Sequence, residues 1–325
     1  SDGQNVFSIE DLPLNAQLEQ MQQMLTIRQG RSPGEETALA NRLAAYDIRT
    51  GKLKWHVGGS AQEFGLPLAG TFFLGPPLPL MDQLFALAEV KGEIRLMVLE
   101  GRTGKLLWSQ QLAVPDRDIL DDPLRRLAGI APSYADGVLV CPTANRAIVA
   151  VELATRSLLW GYSYESEQMS ARERHPMFFG MPSQFDSDPG SRWSDSSVLV
   201  ADGRVVVTPP ESEYVHCLNL LDGKLQWKCP RRDQLYVACV HQGKVILVGK
   251  RQMQALDLAT GEPAATWSGP VASFPAGSTP SGMGFWSGDY YYVPLSSAAV
   301  MTVDLNTGRA VRVSDSGEGT VPGNL

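Results

Sequence analysis

Four histidines, four cysteines and a short acidic cluster are the residues here that can bind metals or carry nucleophilic chemistry. His56, His175, His216 and His241 are dispersed, and no H-E-x-x-H pattern brings two of them onto one ion. Cys141, Cys217, Cys229 and Cys239 contain no C-x-x-C pair, so a zinc knuckle or a thioredoxin-type site has no basis. They fit as small apolar core residues. Cys217 and Cys229 flank Leu221-Asp222-Gly223 almost symmetrically, which leaves a hairpin disulfide as the alternative. Asp116, Asp118, Asp121 and Asp122 lack the turn glycine and closing glutamate of a calcium loop. They read instead as the acidic start of a helix before Leu124-Arg125-Arg126-Leu127. No G-x-S-x-G, P-loop or clean G-x-G-x-x-G occurs, and Gly282-Met283-Gly284 stands at a strand entry where glycine is ordinary.

The richest set of binding side chains lies in the longest insertion, Gly161 to Ser194. Tyr162 and Tyr164 open it, and Arg172, Arg174, His175 and Trp193 make it a candidate lid or ligand loop. A self-packed Ω-loop is the alternative. The net charge of -7, with no basic run beyond pairs such as Arg125-Arg126 and Arg231-Arg232, argues against a nucleic-acid partner. No apolar stretch is long enough for a transmembrane segment.

The elements that position these residues come from an internal repeat. Ala45-Tyr46-Asp47-Ile48-Arg49-Thr50-Gly51-Lys52-Leu53-Lys54-Trp55 recurs as Val98 to Trp108, which holds Thr103 and Gly104. It recurs again from Ala150 through Thr155 to Trp160, and from Cys217 through Gly223 to Trp227. Two weaker copies hold Ala255, Asp257 and Gly261, then Thr302, Asp304 and Gly308. Arg156 replaces glycine in the third copy, Trp267 comes two residues late in the fifth, and Arg312 replaces tryptophan in the sixth. The period of roughly 50 residues is that of a four-stranded propeller blade with variable loops. Each copy reads as strand, tight turn with glycine at positive φ, and a second strand ending in tryptophan. The early Asp can accept turn amides, and the indole can lie across the next blade with its N–H on a carbonyl.

The pattern A-x-D-x-x-T-G-x-x-x-W resembles the tryptophan-docking motif of the PQQ-type repeat found in quinoprotein dehydrogenases and BamB-like assembly proteins. The resemblance covers roughly residues 40–313. It implies a propeller of six to eight blades. It also implies that the chain is a piece of a larger propeller protein, of a kind found in planctomycete bacteria.

Hairpin signals place further strands before each copy, around Ala135-Asp136-Gly137, Asp202-Gly203 and Gln242-Gly243 among others. The prediction is an all-β propeller of four-stranded antiparallel blades, five complete and one partial at Leu43 to Val57. Residues 39–325 form this propeller domain. Residues 1–38 form an extension whose Leu18, Met21, Met24 and Leu25 predict an amphipathic helix over Leu14 to Ile27, capped by Asn15 and stopped by Gly30.

Three functions follow. The first is a non-catalytic platform for a protein or ligand outside the cytoplasm, as the BamB-like resemblance implies. The second is a PQQ- and calcium-dependent oxidoreductase, against which stands the absence of the adjacent cysteine pair such enzymes carry. The third is a sensor or glycan-binding domain using Trp193, Trp286, Tyr290, Tyr291 and Tyr292, although strand alternation buries about half of such residues. No cofactor is assigned.

Overall fold

A computed structural model describes residues 1–12, 40–60, 65–164, 198–209, 211–267, 272–317 and 319–325. The candidate loop residues Arg172, Arg174, His175 and Trp193 lie outside them, as does the predicted helix over Leu14 to Ile27.

The chain divides into two compact units: Ser1–Pro132 with Cys141–Asn145, and Ser133–Val140 with Arg146–Leu325. The first unit carries two sheets. One orders β1 (Asn5–Asp11), β2 (Asn41–Asp47) and β3 (Leu53–Gly58). The other contains β4 (Thr71–Phe73), β5 (Leu78–Leu80), β6 (Gln83–Val90), β7 (Glu93–Glu100) and β8 (Leu106–Ala113), with β4 and β5 both paired to β6. The partial blade read from the sequence lacks inner strands, and β1 supplies one, pairing with β2 from Asn5↔Asp47 to Asp11↔Asn41.

Four sheets follow along the chain. The third contains β9 (Ser133–Ala135), β10 (Val138–Pro142), β11 (Ala147–Glu152) and β12 (Ser157–Ser163). The fourth contains β13 (Val198–Ala201), β14 (Arg204–Val207), β15 (Tyr214–Asn219) and β16 (Leu225–Pro230). Among the described residues the fifth has three strands, β17 (Gln234–His241), β18 (Lys244–Gly249) and β19 (Met253–Asp257). The sixth has β20 (Phe285–Ser287), β21 (Tyr290–Leu295), β22 (Ala299–Asp304) and β23 (Arg309–Asp315). These antiparallel sheets are propeller blades.

The fifth blade departs from the predicted four strands. Pro263 has no N–H to give a ladder, and a 3₁₀ turn at Ala265–Trp267 stands where an outer strand is expected.

Burial follows from stacking. Central strands are covered on both faces, so they are apolar almost throughout, as in Leu-Phe-Ala-Leu-Ala at 84–88. Outer strands such as β12 and β23 are mostly exposed. Within the first unit, Leu43 and Val57 pack with Phe73, Leu84 and Met97. Within the second, Val140 and Ile148 pack with Val205 and Val207, and Met253 with Val293 and Met301.

A β-bulge recurs at one place in the repeat. The register shifts between Ala45 and Tyr46, Val98 and Leu99, Ala150 and Val151, Cys217 and Leu218, and Thr302 and Val303. The extra residue on the outer strand immediately precedes the tryptophan position. A bulge there turns the following side chain out of simple alternation and aims it along the blade stack.

Candidate functional site

The docking-motif residues form a set of seats. Trp55 Nε1 donates to the Gly101 carbonyl at 3.1 Å, and its ring lies against Gly104. Trp160 donates to Leu220 at 2.8 Å over Gly223, and Trp227 to Leu258 at 2.9 Å over Gly261. Trp267 donates to Leu305 at 3.0 Å over Gly308. In each seat the acceptor stands three residues before the glycine, and a Cβ on that glycine would lie 2.5–2.6 Å from the indole. Glycine is therefore required twice, by the left-handed backbone and by the ring.

The remaining motif residues build the turns. Asp47 Oδ1 accepts the Thr50 amide and hydroxyl and the Arg49 amide, and the Thr50 amide first, with Lys54 3.1 Å from Oδ2, holds its carboxyl down at about 2. Asp257 accepts the same set from Ala259 and Thr260, and Asp304 accepts the Asn306 amide and the Thr307 hydroxyl. Thr103 donates to Glu100 and Thr155 to Glu152. Arg156 takes glycine's left-handed conformation at φ +59. Ala45 and Ala150 are fully buried opposite Trp55 and Trp160, and Trp108 packs edge-on to Phe85.

The sixth blade differs at this level. Its buried face carries Tyr291, Val293, Met301 and Val303. Its other face carries Tyr290, Tyr292, Thr302, Arg312 and Ser314 around a shallow depression of about 350 Å³. Phe285 stacks on Tyr292 at 5.7 Å and is 50% exposed. At the repeat positions where the first five blades bury Ala45, Val98, Ala150, Cys217 and Ala255, this blade places Thr302. Opposite Thr302 stands Arg312, which has no ion-pair partner among the described residues. Of the aromatics singled out from the sequence, Trp286 and Tyr290 are exposed and Tyr291 is buried.

One histidine sits in a cluster that sequence reading missed. His216 Nε2 lies 2.7 Å from Ser212 Oγ, and Nδ1 lies 3.1 Å from the Tyr162 hydroxyl. Ser212 Oγ also accepts the Tyr214 amide. Tyr164 and Tyr214 rings surround the imidazole, and the Tyr164 hydroxyl donates to Glu211. Burial, with Lys228 nearby, pushes His216 down to about 4. Its residues come from the end of β12, from β15 and from the connection between β14 and β15, so no sequence spacing marks them. The alternating Tyr162 and Tyr164 beside a long insertion were the only signal.

The cysteines and acidic residues resolve plainly. All four cysteines are free. The register sets Cys217 opposite Trp227 and Cys229 opposite Val215, so the near-symmetric sequence spacing does not make a cross-strand pair. Asp118 caps the 3₁₀ turn Ile119–Asp121 by accepting the Leu120 amide. Asp122 caps the single-turn helix α1 (Pro123–Arg126) through the Arg125 amide and pairs with the Arg125 guanidinium at 2.7 Å. Among the described residues, no group of three or more His, Cys, Asp or Glu is placed to hold a metal ion.

Blades joined by buried tryptophan seats define a β-propeller of PQQ-type repeats. The family model described as outer membrane protein assembly factor BamB matches residues 39–180 and 182–319, and the chain belongs to that family. Among solved structures it is similar to BamB from Moraxella catarrhalis, at 16% identity and a TM-score of 0.54, over 87% of this chain and 72% of that one. It is also similar to the computationally designed Ika8 protein, at 14% identity and a TM-score of 0.42, over 88% and 86%. No curated protein matches the chain. The BamB likeness is one of fold. Among the described residues, no helix is long and apolar enough to cross a membrane.

Proposed function

We propose that this chain is a non-catalytic protein-interaction platform and that the open face of its sixth blade is the docking surface. The observation that carries this reading is the pairing, on one sheet face, of exposed aromatics with Arg312, which has no ion-pair partner among the described residues. Phe285 and Tyr290 are 50% and 42% exposed there, beside Arg312. Aromatic residues and arginine are the side chains enriched at protein interfaces, and a contiguous exposed apolar patch is uncommon without a partner. The face suits a partner segment with apolar side chains and a carboxylate for Arg312. Membership of the BamB family supports an interaction role and an extracytoplasmic setting.

Photo-crosslinking tests this directly. A benzophenone amino acid at Tyr290 or Val311 is expected to give one discrete adduct in cells, and the same probe at the exposed turn residue Gln242 is expected to give none. Arg312→Glu is expected to weaken the adduct. Equal labelling from all three positions overturns the assignment.

A further inference from the structure

Three donor side chains converge where the fifth blade meets the sixth. His241 Nε2 lies 3.4 Å from Asp289 Oδ1 and 3.4 Å from Asn306 Oδ1. His241 ends β17, Asp289 lies in the turn between β20 and β21, and Asn306 follows β22. The backbone around all three is pinned. The Gly243 carbonyl, two residues after His241, accepts the Leu258 amide at 2.8 Å, and the Asp289 carbonyl accepts the Leu305 amide at 2.8 Å. The Asn306 amide donates to Asp304 Oδ1 at 2.8 Å. The Trp286 ring stands edge-on to the imidazole at 6.3 Å and closes one side of it. The His241 side chain is 8% exposed, whereas that of Asp289 is 57% exposed.

Both 3.4 Å separations are long for hydrogen bonds, which run at about 2.7–3.2 Å for N–H···O. An imidazole N–H can also point at only one of the two oxygens. The same separations suit a shared cation. Ligand bonds of about 2.1 Å meeting at tetrahedral angles place their donor atoms about 3.4 Å apart. An imidazole nitrogen, a carboxylate oxygen and an amide oxygen then occupy three corners, and the exposed side of Asp289 leaves the fourth to water. The donor set also selects the ion. Calcium and magnesium take oxygen ligands, whereas imidazole suits zinc and its first-row neighbours. Because the third donor is a side-chain amide, the site lies outside any group of three His, Cys, Asp or Glu.

We propose that His241, Asp289 and Asn306 form a binding site for a divalent transition-metal ion of the zinc class, held across the junction of the fifth and sixth blades. An ion there ties the β17–β18 turn to the two sixth-blade turns that present Asp289 and Asn306. The fifth blade brings three strands to this junction among the described residues, and Trp267 crosses it to the Leu305 carbonyl and Gly308. A metal clamp therefore adds a second fixed link between the two blades. The site is separate from the open sixth-blade face, whose lining includes none of the three ligands, and does not depend on it.

The test titrates zinc chloride into the whole 325-residue chain, stripped of metal with a chelator, and follows both heat and thermal unfolding. The native chain is expected to bind one equivalent of zinc and to melt at a higher temperature with it, because an ion that binds the folded state alone stabilises that state. His241→Gln and Asp289→Ala are each expected to weaken that equivalent by at least about 10-fold and to remove the melting shift. Asn306→Asp adds a second carboxylate to the site and is expected to tighten binding by about 10-fold, a gain that a purely structural hydrogen bond would not give. His56→Gln, a histidine of the first unit, is expected to leave the titration unchanged. If His241→Gln fails to fold, Asp289→Ala carries the test, because its side chain is mostly in solvent. No binding at zinc concentrations up to about 1 mM overturns the proposal. So does an equivalent that Asp289→Ala leaves intact, because the ion then sits elsewhere.

Discussion

Trp267 reaches the Leu305 carbonyl at 3.0 Å although it stands six residues after its turn glycine, Gly261, where Trp227 stands four after Gly223. Pro263 interrupts the outer strand, and the 3₁₀ turn Ala265–Trp267 delivers the indole instead. The ring still ends 2.5 Å from where a Gly308 Cβ would be. What the blade contacts share is thus the receiving seat, while the route by which the tryptophan arrives varies.

That relationship predicts an ordering of glycine substitutions. Gly223→Ala places a methyl 2.5 Å from the Trp160 ring and adds left-handed strain at φ +67. The two costs together come to roughly 2–5 kcal/mol. Gly203→Ala, in the same blade at φ +68 but with open space, carries the backbone cost alone, roughly 1–2 kcal/mol. Urea unfolding should show the larger loss for Gly223→Ala, and its Trp160 fluorescence should shift to the red. Equal losses would mean that the seat contributes nothing beyond the turn.

Much of this was legible in the sequence, because the repeat writes turn, glycine and tryptophan at fixed offsets. The strands around Asp136-Gly137, Asp202-Gly203 and Gln242-Gly243 follow from turn chemistry alone. The bulge before each tryptophan position was not legible. A single extra residue such as Lys54 or Gln226 leaves no mark in a pattern already read as a strand. β1 was missed because Asn5–Asp11 carries no copy of the repeat and pairs with a strand 30 residues or more away. The open sixth-blade face was half legible. Arg312 in place of tryptophan marked a departure, but only the register shows Thr302 facing it. The His216 cluster depends wholly on the blade stack, since Ser212 and Tyr162 meet it from separate segments.

His216 predicts a pH-dependent stability. Burial chiefly, and Lys228 secondarily, push it from 6.5 to about 4, so the folded protein resists a proton that the unfolded chain accepts. Stability is therefore full above pH 6.5 and falls as the pH drops toward 4, by at most about 3 kcal/mol. Burial pushes the facing Tyr162 and Tyr164 hydroxyls up, so both keep their protons throughout that range. His216→Gln should flatten the profile between pH 6.5 and 4 in thermal melts. A variant that keeps the full slope would place the effect elsewhere.

The buried ion pair of the first unit predicts a strong asymmetry between two substitutions. Arg125 Nε lies 2.9 Å from Glu89 Oε2, with the two side chains 1% and 4% exposed. Its guanidinium also reaches Asp122 and the Arg117 carbonyl, and Glu89 accepts the Ile119 amide. Burial raises the Glu89 carboxyl despite the guanidinium beside it. Arg125→Met strands a buried carboxylate and should cost about 3–5 kcal/mol. Glu89→Gln keeps a hydrogen-bond acceptor and leaves Arg125 paired with Asp122, so its cost should be about half as large. Calorimetry of the two variants checks the order, and an equal or reversed order would show that Asp122 does not compensate the Arg125 charge once Glu89 is neutral.

The free cysteines predict a single reactive position. Cys141, Cys217 and Cys239 are buried, and burial pushes the Cys217 thiol to about 11 and Cys239 to about 12. Cys229 is half-buried on the outer strand β16, and its thiol is raised as well, by burial first. Thiolate, not thiol, attacks a disulfide reagent, so all four should react slowly at neutral pH, with Cys229 first because solvent reaches it. Ellman's reagent on the native protein should release about one equivalent well before the rest, which should follow only on unfolding. Cys229→Ser should remove that early equivalent. An early phase that survives the substitution would mean that one of the three buried thiols opens to solvent faster than its blade packing allows.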